Sequence, residues 1–232
     1  MKEYLKQVNE RNRSNHFMWL GGINVYNSKE LPEEVNMDKV LEKVGNKVPP
    51  FLLSNIESII IGNRESMRER EVDAMYEDGA IYIFPDFVQS EEDLVDDIVH
   101  EIAHSLEERN SLEIYGDGQL EREFIVKRLQ LFGVLRGQEV SFFPRDFFIN
   151  SEYSQEFDDF LYKTIGYALL TSLTVNMFIS PYGATSLREY FANAFENYFL
   201  GKYEEVKSIS PIAYLKIKNL VDLLEDKEYG NF

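Results

Sequence analysis

The sequence predicts an α+β fold: a small N-terminal mixed sheet that carries one long helix, followed by a mostly helical C-terminal half. Three observations lead there. Short β-branched and aromatic runs, punctuated by glycine, proline and Asp78-Gly79, fill residues 17–84. Residues 93–108 place apolar side chains in i, i+4 rows, the spacing of a buried helix face. Beyond residue 118 the apolar spacing is helical almost throughout.

Taken in order, residues 2–13 are polar and suit a short helix or a loose arm. His16 opens an apolar run, residues 17–26, that contains Gly21 and Gly22 and reads as one strand with His16 at its entrance. Residues 31–44 are spaced as a helix, with Gly45 as its C-cap. Pro49-Pro50 begins a helical turn, residues 56–61 have the β-branched content of a central strand, and residues 64–70 are a charged loop. Residues 72–76 and 80–84, joined through Glu77-Asp78-Gly79, read as a hairpin or as two joined edge strands. Residues 80–84 are then the expected sheet edge, on which an extended peptide can pair.

The long helix follows. Ser90 is its N-cap, and Glu91, Glu92 and Asp93 place negative charge on its first turn. Leu94, Ile98 and Ile102 form one apolar row, and Val95, Val99, Ala103 and Leu106 the next. Residues 110–118 read as a loop, 120–135 as an amphipathic helix, 141–150 as irregular, and 156–179 as a long helix interrupted at Gly166. A turn at Ser180-Pro181-Tyr182-Gly183 precedes a helix capped by Ser186 and running through Leu200 to Gly201; Pro211 precedes the last helix, 212–224.

The 232 residues are expected to form one domain, 1–232, with a sheet-containing half near 14–109 and a helical half near 110–232. A net charge of −17 argues against nucleic acid as a partner, because phosphate binding needs a basic face. The absence of cysteine excludes disulfides and thiolate metal ligands. The charged N-terminus has no signal-peptide character and no apolar run is long enough for a bilayer. The expected location is cytoplasmic, with a phage particle or a non-classical export route as alternatives, and no membrane partner.

The chemistry centres on His100-Glu101-Ile102-Ala103-His104. On a helix, positions i and i+4 lie on one face, so both imidazoles can address one metal ion. Glu101 sits at the edge of that face, where it can act as a base without being a ligand. A catalytic site of this kind needs a third protein ligand, and no histidine follows His104. Upstream, His16 is the one remaining imidazole and a weak candidate, so the third ligand is expected to be a carboxylate, which with two imidazoles suits a zinc ion. Glu107 and Glu108 share the helix and are poorly placed; the candidates are Glu121, Glu123, Glu189 and Glu196. Asn193, one turn beyond Glu189, is placed to accept a hydrogen bond from a ligand imidazole.

Strands followed by such a helix are the order of the N-terminal half of a zincin-type metallopeptidase. The motif, together with Ser180-Pro181-Tyr182-Gly183-Ala184-Thr185-Ser186-Leu187-Arg188-Glu189-Tyr190-Phe191-Ala192-Asn193-Ala194-Phe195-Glu196, resembles the anthrax lethal factor-like zinc metallopeptidases, which include the catalytic domain of lethal factor and the secreted Pro-Pro endopeptidases. That family has a tyrosine seven residues before a ligand glutamate, the separation of Tyr182 and Glu189. The segment from Ser210 to Leu215 resembles its closing helix. The resemblance implies a gluzincin-type zincin fold, one zinc ion per chain on His100, His104 and Glu189, Glu101 as general base, and Tyr182 near the oxyanion. Asn193 departs from the acidic residue frequent in the family, and residues 156–179 resemble an insertion.

The expected activity is zinc-dependent endopeptidase hydrolysis of a polypeptide substrate. A reading from another class is a zincin-fold structural or binding module in a bacterial or phage assembly, with little or no turnover. An intracellularly acting toxin or effector is a third reading.

Overall fold

The computed structural model describes residues 16–20, 22–62, 73–137 and 144–230. The expectations for residues 2–13, the loop at 64–70 and the start of the segment 141–150 lie outside the described residues. The chain is α+β, with a small five-stranded mixed sheet first and helices after it. It divides into two compact units, Met1–Leu106 and Glu107–Phe232.

The sheet of the first unit comprises β1 (His16–Trp19), β2 (Ile23–Asn27), β3 (Ser58–Ile61), β4 (Ala74–Glu77) and β5 (Ala80–Ile83), in the order β1-β2-β3-β5-β4. β1 and β2 are an antiparallel hairpin, whereas the run 17–26 reads as a single strand in sequence. The chain turns at Leu20, which takes a φ of 48°, and Gly22 N–H donates to Trp19 C=O at 3.3 Å. β3 is central and parallel to both β2 and β5, and its Ile59 and Ile61 are fully buried. A helix of the first unit, α1 (Met37–Lys47), begins at Asn36, whose side chain accepts from Lys39 N–H, and it runs through Gly45 to Val48. Its start lies after Pro32, not at residue 31, because Asn36 supplies the cap. The following Pro50–Leu53 turn is a short 3₁₀ helix.

β4 and β5 form the expected hairpin. Asp78 and Gly79 have φ values of 47° and 80°, the left-handed pair that a tight two-residue turn needs. The edge assignment is corrected: β5 lies inside the sheet between β3 and β4, and β4 is the outer strand among the described residues. Sequence order places β5 next to the long helix, but the parallel β3–β5 pairing turns the hairpin so that β4 faces outward.

The long helix, α2 (Glu91–Tyr115), is fixed in the first unit by its predicted apolar rows. Leu94, Ile98, Val99, Ile102, Ala103 and Leu106 are all 0% exposed, and Val95 is 3% exposed. α2 continues past residue 110, read in sequence as the start of a loop, with a kink at Asn110 where φ is −121° and ψ 27°.

In the second unit α3 (Gln119–Gly137) is followed by α4 (Arg145–Ile149), a short helix inside the stretch expected to be irregular. The predicted helix over 156–179 is instead α5 (Gln155–Asp159), a π-helical turn Phe160–Ile165, and α6 (Tyr167–Leu173). Gly166, at a φ of 83°, makes the predicted break, and the helix ends before Asn176, whose φ is 59°. α7 (Leu187–Asn197), a π-turn Tyr198–Lys202, α8 (Tyr203–Ile209) and α9 (Pro211–Tyr229) complete the unit. Arg128 is buried among them, donating to the carbonyls of Phe147 and Asn150, with its guanidinium 4.1 Å from the Phe157 ring centroid and 5.1 Å from that of Phe124.

Candidate metal centre

α2 positions the motif through a set of contacts made before the motif begins. Ser90 Oγ accepts from Asp93 N–H at 3.1 Å, the predicted N-cap. Glu91 and Glu92 receive Lys43 of α1 at 2.9 and 2.8 Å, and Glu91 also accepts from Asn36 N–H. Lys43 is held above the ordinary lysine value, chiefly by its hydrogen bond to Glu92 and then by that to Glu91. One turn after the motif starts, Asn55 donates to Ser105 C=O at 2.8 Å in a fully enclosed setting. The helix is thus held at both ends of the histidine pair, which limits its rotation about its own axis.

His100, Glu101 and His104 offer ligand atoms that all lie within 4.8 Å of one another, a group that could hold a metal ion. The imidazoles have centroids 5.0 Å apart and meet edge-on, at 74°. Glu101 and His104 are each 8% exposed. Two neutral imidazoles on one helix face are a donor set that fits a divalent ion of intermediate softness such as zinc.

Glu101 has a contact that no side-chain pattern reveals. Tyr76 N–H of β4 donates to its Oε2 at 2.6 Å. In a hairpin with a two-residue turn the flanking pair, Glu77 and Ala80, exchanges hydrogen bonds, and the next pair points its N–H groups away from the partner strand. Tyr76 therefore presents an outward N–H, and Glu101 takes it. Oε1 accepts no hydrogen bond among the described residues. The donor is backbone, so only the strand register could have announced it.

The other predicted residues lie in the second unit. Tyr182 is half-buried in a 3₁₀ turn, Pro181–Ala184, and its carbonyl accepts from Thr185 N–H and Oγ1 at 3.0 and 2.8 Å. Glu189 stands in the first turn of α7, where its N–H donates to the predicted cap, Ser186 Oγ, at 3.2 Å. Its charge contributes to raising the Asp158 carboxyl, an effect led by burial, and it also acts on Tyr167, whose hydroxyl burial pushes up to about 12. Asn193 has a backbone partner within the second unit. Its Oδ1 accepts from Ser180 N–H at 3.2 Å and so ties the Tyr182 turn to α7. A β-carbon at Gly183 would come within 3.3 Å of that oxygen, so glycine lets the turn sit this close.

The other candidate carboxylates have partners within the second unit. Glu123 accepts from Tyr190 Oη at 2.8 Å and from Ile212 and Ala213 N–H at 2.9 and 3.3 Å, which makes it the cap of α9. Glu121 accepts from Ser151 Oγ at 2.7 Å, and Glu196 from Asn197 Nδ2 at 3.4 Å. His16, the remaining histidine, bonds Asn24 and stacks on Tyr26 within the β1–β2 hairpin.

A cluster missed in sequence lies three residues beyond His104. Glu107, 5% exposed, accepts hydrogen bonds from Tyr115 Oη and, at 3.2 Å, from Arg188 Nε. Burial and then the Glu107 charge raise the Tyr115 hydroxyl far above its ordinary value, so it stays a donor. Helical spacing was the available signal: Glu107 shares the face of His100 and His104 at i+7 and i+3.

No family model, curated protein or solved structure matches this chain. Among the described residues no helix is long and apolar enough to cross a membrane.

Proposed function

We propose that this protein is a zinc-dependent endopeptidase of the gluzincin type, with a zincin-like fold similar to the lethal factor-like family. The observation that carries the reading is the compact His100–Glu101–His104 group with Glu101 held by the edge-strand N–H. His100 and His104 would hold the ion, and Glu189, by its motif, would supply the third donor. A bound zinc ion contributes Lewis acidity to water and to a carbonyl oxygen. Glu101 is the general base: Oε2 is anchored by Tyr76, which leaves Oε1 to take a proton from the attacking water and deliver it to the leaving amine. The Tyr182 hydroxyl donates to the developing oxyanion, and the Asn193–Ser180 bond steadies the turn that carries it. The substrate is a polypeptide.

Elemental analysis of the purified chain tests the ligand set. The wild type should carry one zinc, and Glu189→Ala should lose most of it. Full zinc in Glu189→Ala would remove that residue from the site. A well-folded wild type that cannot be loaded would instead favour a non-catalytic structural module. Glu101→Gln should keep the metal and lose nearly all cleavage of a peptide library; continued cutting at the wild-type rate would sink the general-base assignment.

A further inference from the structure

We infer that Glu107 and Arg188 are a positioning pair that sets where α7 presents Glu189. The inference rests on the proposal that Glu189 is the third zinc donor. Glu107 is 5% exposed, and a carboxylate that far from water needs hydrogen-bond partners. It has two. Tyr115 Oη comes from the same helix, two turns on, and Arg188 Nε comes from α7.

The identity of the second partner gives the pair its consequence. Arg188 immediately precedes Glu189 in the first turn of α7, so fixing the Arg188 side chain fixes the rotation of that turn. Ser186 caps the same turn through Glu189 N–H, which restrains the backbone but not the side chains on its surface. The Glu107–Arg188 bond ties that surface to residue 107 within the second unit. Tyr115 adds precision at the other end: its hydroxyl selects one Glu107 rotamer, and its ring packs 6.1 Å from Phe191, one turn along α7 from Arg188. Within the second unit, residues 107–115 thus meet α7 through a charged contact and a ring contact on one side of α7.

A bond of this kind acts on metal affinity through geometry, and its sign separates it from simple electrostatics. Removing the positive charge of Arg188 would, by Coulomb attraction alone, strengthen binding of a cation nearby. Loss of positioning would weaken it. Contacts that orient a metal ligand are typically worth about 10–100-fold in metal affinity. Arg188 also suits the test because its side chain is 61% exposed, so truncation empties no buried site.

The experiment is a zinc titration of the full chain against a competing chelator, with the thermal midpoint of the zinc-free protein measured beside it. Arg188→Ala should raise the zinc Kd about tenfold while the zinc-free midpoint moves little. Arg188→Lys, which keeps the charge but loses the Nε donor, should weaken binding less than Arg188→Ala. Glu107→Gln combined with Arg188→Ala should be no worse than the more affected single variant, because both remove one contact. Should Glu107→Gln fail to fold, Arg188→Ala and Arg188→Lys decide the matter. A Kd for Arg188→Ala equal to or tighter than wild type, while Glu189→Ala still loses zinc, would overturn the positioning pair and leave the ligand set standing. A wild type that binds no zinc, or a Glu189→Ala that binds it normally, would overturn both.

Discussion

Two glutamates of the second unit, Glu107 and Glu123, do similar chemistry for different ends. Each accepts a phenolic hydroxyl, from Tyr115 and Tyr190 respectively. Glu107 adds one exposed guanidinium, Arg188, in a bond at 3.2 Å. Glu123 adds two backbone N–H groups at the start of α9, and the Lys127 ammonium lies nearby over the Tyr190 ring, 5.0 Å from its centroid. Lys127 in turn donates to Ile209 C=O at 2.5 Å and Ser210 Oγ at 3.0 Å, at the junction of α8 and α9. Backbone partners belong to the fold itself, whereas a guanidinium on the helix surface can be altered without unfolding a terminus. The comparison teaches that a carboxylate in this chain is read by its partners: the half-buried Glu123 holds a helix end, and the buried Glu107 holds one side of α7.

The largest effect is therefore expected at Glu123. Glu123→Ala leaves Tyr190, which is 2% exposed, and the first N–H groups of α9 without their acceptor, and it leaves Lys127 without its neighbouring charge. A loss of roughly 3 kcal/mol follows, because a buried phenol and two helix N–H groups are left without their acceptor. Denaturant unfolding would measure it, and zinc affinity of the folded fraction should not change. If Glu123→Ala instead lost zinc at little cost in stability, the division of labour between the two glutamates would be reversed.

The contrast also marks what was legible in sequence. The motif helix was, because its apolar rows, N-cap and acidic first turn all point the same way, and every row residue is buried. The Asp78-Gly79 hairpin was legible from turn chemistry, and the Ser186 cap from its position before an apolar stripe. The order of strands was not, since sequence proximity of β5 to α2 says nothing about which strand of a hairpin faces outward. Nor was the split of the run 17–26, where Leu20, an unfavoured residue for positive φ, makes the turn. Within the candidate site, side-chain chemistry named His100, Glu101 and His104, while the Tyr76 N–H on Glu101 has no side-chain signature at all. Glu107 looked like one more acid in a chain of net charge −17, because burial of a single carboxylate depends on packing that its neighbours in sequence do not encode.

A smaller effect separates the two clusters by pH. Burial pulls the Lys127 ammonium down to about 8 from its ordinary 10.5, with Glu123 opposing. Below pH 8 the folded and unfolded chains both hold this proton, so Lys127 adds no slope there. Between 8 and 10.5 the unfolded chain holds the proton and the folded chain has released it, so this group makes stability rise with pH; above 10.5 neither holds it and the slope vanishes. The gain from pH 7 to pH 10 is about 2 kcal/mol. Tyrosine ionisation and the overall negative charge act in the opposite sense, but equally in a Lys127→Met variant, so the stability difference between wild type and variant isolates the lysine. That difference should move in favour of the wild type as pH rises, measured by denaturant unfolding at both pH values. A flat difference would mean that Lys127 keeps its proton through the window, held by Glu123 more strongly than burial expels it, and the cluster at α9 would then be a true ion pair like that of Glu107 and Arg188.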